Sequence, residues 1–317
     1  MTADSKLSGL MPDHARQRFA DVAYDISAAE SSAFSQLPAV AAKAAAISGH
    51  WEFMAPAQVV DAFLRDSDAF PASAQPAGLN RLRRAAVAQL ALHHFTPADR
   101  LSPGVIACYP ALFERIADFL TSPDAEDYGA DYLAKDVRFA LGLTVPAGVL
   151  SIDLRYRVSP KLVARNLGNN GGLAAAAAYF KSGPVGRWYN DHLDLRDMAE
   201  FNPAGWTRCF VILAEMLEAN PDVKGITGVS WFYDPVLTEI SPRMAYLRRT
   251  QVDNGAFLVR IGPGPEHTAN ATATSPTRRQ LVESGQYTPT CYLIAWPRGP
   301  LIDWARRLRT DPNLAFA

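Results

Sequence analysis

The sequence has few cysteines and no hydrophobic stretch long enough to cross a membrane. Its three cysteines, Cys108, Cys209 and Cys291, lie far apart and form no CxxC or Cys–His spacing, which argues against a disulfide scaffold or a zinc knuckle. No run of about 18 apolar residues occurs, and Met1–Met11 lacks the basic and apolar regions of a signal peptide. We therefore expect a cytoplasmic protein with no membrane partner.

Motifs of the common nucleotide, hydrolase and metal sites are also missing. The chain contains no G-x-G-x-x-G, P-loop, G-x-S-x-G or H-E-x-x-H pattern, which argues against the corresponding cofactor and catalytic sites. The six histidines are scattered along the 317 residues. We predict no metal site.

Charge is nearly balanced over the chain but unevenly distributed along it. Thirty-one basic residues against 32 acidic ones give a net charge of −1, and a nucleic-acid partner is not expected because such proteins usually carry a basic excess. Residues 241–317 hold ten basic and five acidic residues, a surplus of five positive charges, so residues 1–240 carry six surplus negative charges. The C-terminal quarter is therefore the expected place for a small anionic ligand.

Arginine is far more common than lysine. Only six of the 31 basic residues are lysines. A GC-rich coding sequence of bacterial type raises arginine and alanine together. Individual arginines remain well suited to binding phosphate or carboxylate groups through two hydrogen bonds.

Hydrophobic residues recur at helical spacing in the first 145 residues. The predicted helices are Asp13–Ile47, Ala57–Phe70, Leu79–Phe95 and Pro103–Leu120. Asp124–Asp136 is acidic and rich in turn residues, which predicts a connection.

Strand and helix patterns alternate after residue 145, which predicts one central sheet. The predicted strands are Gly148–Val158, Gly186–Leu195, Val223–Tyr233, Gly255–Ile261 and Pro289–Trp296. The predicted helices are Pro203–Ala219, Ser241–Arg249, Ser275–Ser284 and Leu301–Leu308. We therefore predict the α+β class, with a helical region (1–145) followed by an α/β domain (146–317) that has one central mixed sheet.

Two Ser-Pro pairs precede predicted helices in the basic C-terminal part. Ser241-Pro242 and Ser275-Pro276 are typical of a helix N-cap with proline at the first helical position. A helix N-terminus with arginines in its first turns can hold a phosphate. The candidate phosphate-binding residues are Ser241, Arg243, Arg248, Arg278 and Arg279.

The helix predicted from Ser275 ends in Leu281-Val282-Glu283-Ser284-Gly285-Gln286-Tyr287 and precedes the last predicted strand. Together with the order of strands and helices over about residues 148–297, this segment resembles the GNAT family of N-acyltransferases, which has Leu-Tyr-Glu-x-x-Gly-Phe at this place. The resemblance implies a fold in which two central strands splay apart to form the acyl-CoA cleft. It also implies that the helix starting at Ser241 holds the pyrophosphate of acyl-CoA.

Two features depart from the family pattern. Val282 stands where the family has tyrosine, and the pyrophosphate loop Arg/Gln-x-x-Gly-x-Gly/Ala is missing. In a second register Ala245-Tyr246-Leu247-Arg248 matches the family's Ala-x-x-Leu-Tyr helix instead. The two registers leave open whether Tyr246 or Tyr287 is the general acid.

The resemblance implies acyl transfer from acyl-CoA, as co-substrate, to a small amine or amino-acid-like acceptor. This reaction needs a base for the ammonium proton and an acid for the leaving thiolate. On the strand Gly186–Leu195 the candidate bases are Asp191, His192 and Asp194, and alternation places His192 and Asp194 on one face and Asp191 on the other. We predict His192 and Asp194 as catalytic, with Tyr246 or Tyr287 as the acid.

Two alternative functions remain open at this point. A metal-dependent oxygenase of specialised metabolism would draw its ligands from the helical half, where Glu52, Glu114, His93 and His94 are the candidates. A non-catalytic ligand-binding protein on a degenerate acyltransferase scaffold would explain the missing glycines of the pyrophosphate loop.

Overall fold

A computed structural model describes residues 9–47, 52–66, 70, 73, 75–122, 128–183 and 185–310 of the chain. Within these residues, fifteen α-helices and one mixed sheet of six strands form an α+β protein, with the N-terminal region helical. The predicted class is therefore confirmed. None of the described helices combines the length and the apolar character that a membrane crossing needs.

The chain divides into two compact units. The first unit runs to Ala147 and also includes Ser151–Arg155, and it consists mainly of seven helices and a strand. The elements are α1 (Asp13–Ala23), α2 (Ala28–Phe34), α3 (Leu37–Ala46), α4 (Ala55–Asp66), α5 (Pro76–His93), α6 (Pro103–Thr121), α7 (Ala130–Ala140), β1 (Thr144–Ala147) and part of β2 (Leu150–Tyr156). Its core contains an aromatic cluster in which the Phe113 ring centroid lies 6.1 Å from that of Phe19 and 4.9 Å from that of Phe139. Such edge-to-face pairs add to the stabilisation from burial.

Helix α7 corrects one prediction. Asp124–Asp136 was expected to be a connection, but Ala130–Ala140 is helical, with Leu133 and Val137 buried. These two residues are four apart and therefore lie on the same helix face. The acidic residues around them hide this apolar stripe in the sequence. Residues 124–127 lie outside the described residues.

The second compact unit comprises Gly148–Leu150 and the chain from Tyr156 onward. Its helices are α8 (Pro160–Arg165), α9 (Gly172–Lys181), α10 (Pro203–Ala219), α11 (Leu237–Ile240), α12 (Tyr246–Val252), α13 (Pro265–Thr272), α14 (Pro276–Glu283) and α15 (Arg298–Thr310). Its strands are β3 (Arg187–Leu193), β4 (Val223–Ser230), β5 (Phe257–Pro263) and β6 (Thr290–Pro297). Short 3₁₀ turns occupy Leu195–Glu200, Trp231–Tyr233 and Pro242–Met244.

Proline begins many of these helices. In α5, α6, α8, α10, α13 and α14 the first residue is proline, where its missing N–H is not needed and its fixed φ suits the helix. In α10 the preceding Asn202 also caps the helix, because its Oδ1 accepts a hydrogen bond of 3.0 Å from the Gly205 N–H.

The sheet has the strand order β1-β2-β3-β4-β6-β5. Strands β3 and β4 are parallel, and β6 lies antiparallel between β4 and β5. Within the second unit, a cluster with Tyr179 of α9, Trp188 of β3 and Leu293 of β6 covers one face. On the other face Trp296 of β6 contacts Phe210 of α10 and Trp304 of α15. The face covered by the first cluster is called the α9 face of the sheet, and the face on which Trp296 lies is called the α10 face.

The prediction of an α-helix that begins at Ser241 is wrong about the first residue of the helix. Pro242–Met244 forms a 3₁₀ turn, and the α-helix α12 begins only at Tyr246 and has seven residues. The Ser241 side chain makes no capping hydrogen bond. Because the hydroxyl bonds another side chain instead, the Ser-Pro pair does not start an α-helix here.

Candidate functional site

The parallel strands β3 and β4 stop pairing before either strand ends. Paired positions run from Arg187–Val223 to Asp191–Gly228, whereas β3 continues to Leu193 and β4 to Ser230. The last two residues of each strand therefore extend beyond the last pair. The carboxyl ends of parallel strands are where open α/β sheets bind ligands, so this junction is the candidate site.

A buried Asp–Tyr pair lies at the junction, on the α10 face. The Tyr233 hydroxyl donates a 3.3 Å hydrogen bond to Asp191 Oδ2, and the Gln251 side chain of α12 also bonds this hydroxyl. A Cβ added at Gly228 would stand 2.4 Å from Asp191 Oδ1 and 2.5 Å from the Tyr233 hydroxyl. Only glycine at position 228 leaves room for the pair.

Burial changes the acidity of both groups. It raises the pKa of Asp191 to about 7, and the Tyr233 hydrogen bond acts in the opposite direction. Burial, followed by the Asp191 charge, raises the pKa of Tyr233 well above its usual value. The pair therefore holds one proton that exchanges near neutral pH, which suits a general base or acid.

His192 lies on the α9 face, opposite to Asp191. Its Nε2 is 3.0 Å from Asn190 Nδ2, and Asn190 Oδ1 is 2.9 Å from the Thr227 hydroxyl of β4. His192 thus belongs to a polar chain across the same strand junction.

Asp194 follows the end of β3 and is bound to Arg196. Its carboxylate accepts hydrogen bonds from Arg196 Nε at 3.0 Å and Nη2 at 2.9 Å, and both side chains are buried. Asp194 also caps the 3₁₀ turn through the Arg196 N–H. Its role as a base stays a prediction, and in this arrangement the carboxylate holds the turn after β3.

The two candidate tyrosines have different neighbours, Phe201 for Tyr246 and Asp234 for Tyr287. The Tyr246 hydroxyl donates to the Phe201 carbonyl oxygen at 3.2 Å, and its ring contacts that of Phe201. Burial raises the pKa of Tyr246. The pKa of Tyr287 is raised by burial first and then by the Asp234 carboxylate. Both hydroxyls therefore keep their protons at neutral pH.

Two of the candidate phosphate-binding residues contact each other. Arg278 is 4% exposed, stacks over the Trp231 ring at 5.1 Å, and donates to the Ala271 carbonyl oxygen at 2.6 Å and to Ser241 Oγ at 3.3 Å. Burial and the Arg243 charge lower the pKa of Arg278. Arg278 thus ties the segment after β4 to α13 and α14, a packing role that the sequence does not reveal.

The three remaining candidate arginines differ in availability. Arg243 is exposed and lies close enough to Arg278 for their charges to interact. Arg248 donates to the Thr238 hydroxyl at 2.9 Å, and the exposed Arg279 donates to the Thr272 carbonyl oxygen at 3.3 Å. Arg243 is therefore the candidate whose charge is best placed for an external anion.

The sequence predictions missed the Asp191–Tyr233 pair. Asp191 was assigned to the opposite strand face from His192, which is correct, but Tyr233 was expected inside a strand. The pair joins residues 42 positions apart. The one local sign is Gly228 in the middle of an apolar strand, which marks a close approach of another group.

No group of three or more His, Cys, Asp or Glu side chains that could hold a metal ion occurs in the described part of the chain. No protein-family model matches the chain, and no curated protein or solved structure is significantly similar to it. The geometry and chemistry of the strand junction are therefore the basis for a function.

Proposed function

We propose that the protein is an acyl-CoA-dependent N-acyltransferase that acts on a small amine or amino-acid-like acceptor. The observation that carries the proposal is the early end of β3–β4 pairing beside the Asp191–Tyr233 pair. The GNAT resemblance implies that two central strands separate to admit acyl-CoA. Parallel strands whose last residues are unpaired with each other fit this requirement.

The strand order is a second point of support. Helix α10 joins β3 to β4, and β6 inserts between β4 and β5. The helix N-terminus that follows the carboxyl end of β3 is that of α10, which has 17 residues. Because N-termini of long helices attract anions, α10 replaces the segment at Ser241 as the helix expected to face the phosphates.

The Asp191 carboxylate would act as the general base. With a pKa of about 7, it can accept the proton that leaves the ammonium group of the acceptor. The amine nitrogen then attacks the thioester carbonyl carbon, the C–S bond breaks, and the thiolate takes a proton from Tyr246 or Tyr287. An amide and free CoA are the products.

The phosphates of CoA would be held by Arg243. Its side chain is exposed and lies in the segment that Tyr246 anchors to Phe201, directly before α10. Arg278, in contrast, is committed to Ala271 and Ser241. Arg243 is therefore the residue to change in a test, because its loss leaves the buried contacts intact.

Thermal unfolding with and without ligand tests the proposal. Millimolar CoA or acetyl-CoA is expected to raise the Tm by about 2–5 °C, since a ligand that binds only the folded state stabilises it. Arg243→Ala should abolish the rise. Arg249→Ala is the matched control, because Arg249 is exposed on α12 and bonds only Asp253 in the i,i+4 position.

The outcome decides between three readings. A Tm rise in the wild type and in Arg249→Ala, but not in Arg243→Ala, supports acyl-CoA binding. An unchanged Tm of the wild type with both ligands contradicts the proposal. Acyl transfer to each of the twenty amino acids is monitored by the release of free CoA thiol. A Tm rise with no thiol release would favour the non-catalytic alternative.

A further inference from the structure

A pocket lies at the opposite end of β4 from the strand junction. It has a volume of about 490 Å³ and is lined by the start of β4, the end of β6 and the end of α9. Lys224 is the second residue of β4 and Gly228 lies four residues further on, about 13 Å away along the strand. The pocket is therefore separate from the candidate acyl-transfer site.

The charged residues that line this pocket are all basic. They are Lys181, Lys224 and Arg298. No carboxylate of the described residues lies within ion-pair distance of either lysine ammonium group. The nearest acidic side chain in sequence, Asp222, is paired with Arg187 at 2.9 Å. The side chains that line the pocket thus carry three positive charges and no negative one.

The backbone around Lys224 holds its side chain in place. Gly183 has a φ of +84°, and a Cβ there would stand 3.2 Å from Lys224 Nζ. A Cβ at Gly186 would stand 2.6 Å from Lys224 Cε. The lysine stem therefore lies against a glycine-lined backbone, so that little side-chain freedom remains to be lost when a ligand binds.

The remaining wall is rigid and adds to the positive potential. Pro221, Pro297 and Pro300 line the pocket, and α15, a helix of 13 residues, begins there at Arg298. Its N-terminus directs the positive end of the helix dipole to the pocket. Arg298 donates to the carbonyl oxygens of Leu217 and Asn220 at the end of α10, which neutralises the negative helix end nearby.

We propose that this pocket binds a small phosphorylated metabolite whose phosphate group contacts Lys181 and Lys224. Its volume is in the range of ordinary small-molecule sites. Lysine ammonium groups and the N–H groups of a helix N-terminus are common ligands of phosphate in proteins. The inference does not depend on the acyltransferase proposal, since none of its residues belongs to the strand junction.

Isothermal titration of the full-length protein with sodium pyrophosphate tests the inference, with ionic strength matched by NaCl. The wild type is expected to bind pyrophosphate saturably, and a second site at Arg243 is identified by the binding that Arg243→Ala removes. The double variant Lys181→Met and Lys224→Met keeps both apolar stems, and its affinity should fall about tenfold or more, the effect of losing charge-assisted hydrogen bonds. Lys161→Met, on exposed α8, is the control and should bind like the wild type.

Three results would overturn the inference: no saturable binding of pyrophosphate to the wild type, equal affinity in the double variant, or tighter binding of sodium citrate than of pyrophosphate. The last result would assign the pocket to carboxylates. Because the double variant should retain its Tm rise with CoA, failure of this inference is distinguishable from failure of the acyltransferase proposal.

Discussion

The Asp191 carboxyl group couples the candidate site to the stability of the protein. Burial raises its pKa to about 7, whereas an aspartate in an unfolded chain has a pKa of about 3.9. Between these values the folded state binds the proton more tightly than the unfolded state. The contribution of Asp191 to stability therefore declines as pH rises from about 4 to about 7.

Asp191→Asn should remove this decline, because asparagine keeps the shape but has no proton to lose. The free energy of unfolding is measured by urea titration at about pH 5 and about pH 8. We expect its loss between these two pH values to be about 2–4 kcal/mol smaller in the variant than in the wild type. Asp303→Asn, on the exposed side of α15, should behave like the wild type. Identical pH dependence in wild type and Asp191→Asn would contradict the assigned pKa.

The burial and the partners of the Arg278 side chain could not be predicted from the sequence. Its position in the first turn of a Ser-Pro helix predicts an exposed phosphate ligand, yet the side chain is 4% exposed and bonds Ala271 and Ser241. Local sequence determines that Arg278 is helical. The packing of α13 and of the segment after β4 determines which way its side chain extends.

Helix α10 is the element whose bounds are predicted best. Pro203–Ala219 is both the predicted and the observed range, because Asn202 and Pro203 start the helix and Asn220-Pro221 end it through local chemistry. Ser275 likewise caps α14, accepting a hydrogen bond from the Arg278 N–H at 3.3 Å. Ser241 has the same Ser-Pro pair and does not cap, since its hydroxyl bonds Arg278 instead.

Removal of the α10 cap should have a measurable cost. Asn202→Ala leaves the Gly205 N–H without its side-chain acceptor, and we expect a loss of about 1 kcal/mol in the free energy of unfolding. Thr207→Ala, one turn into the same helix, is the control and should change stability by less than about 0.5 kcal/mol. Equal effects of the two substitutions would show that the cap is unimportant.

At the scale of the whole molecule, the positive surplus of residues 241–317 is largely used internally. Arg306 and Arg309 pair with Glu218 of α10, and Arg298 bonds two carbonyl oxygens of that helix segment. These contacts dock α15 against α10. The surplus therefore reflects packing to a large extent, and Arg243 remains an exposed arginine among the candidate phosphate-binding residues.

Salt should weaken CoA binding if Arg243 holds its phosphates. Between about 50 mM and about 300 mM NaCl, screening shortens the range of exposed charge interactions, so the Tm rise produced by a fixed CoA concentration should shrink by about half or more. The Tm without ligand provides the reference at each salt concentration. A rise that is independent of salt would indicate that CoA binds through apolar contacts and would argue against the role of Arg243.

The sequence by itself determined the α+β class, the approximate place of five strands and the bounds of those helices that carry local start and stop signals, such as α6 and α10, because periodicity, caps and proline positions act over a few residues. The tertiary structure alone decided the parallel pairing of β3 with β4, the meeting of Asp191 with Tyr233, and the pocket that gathers Lys181, Lys224 and Arg298. These groups are distant in the chain, and only the packing of helices on both faces of the sheet brings them together.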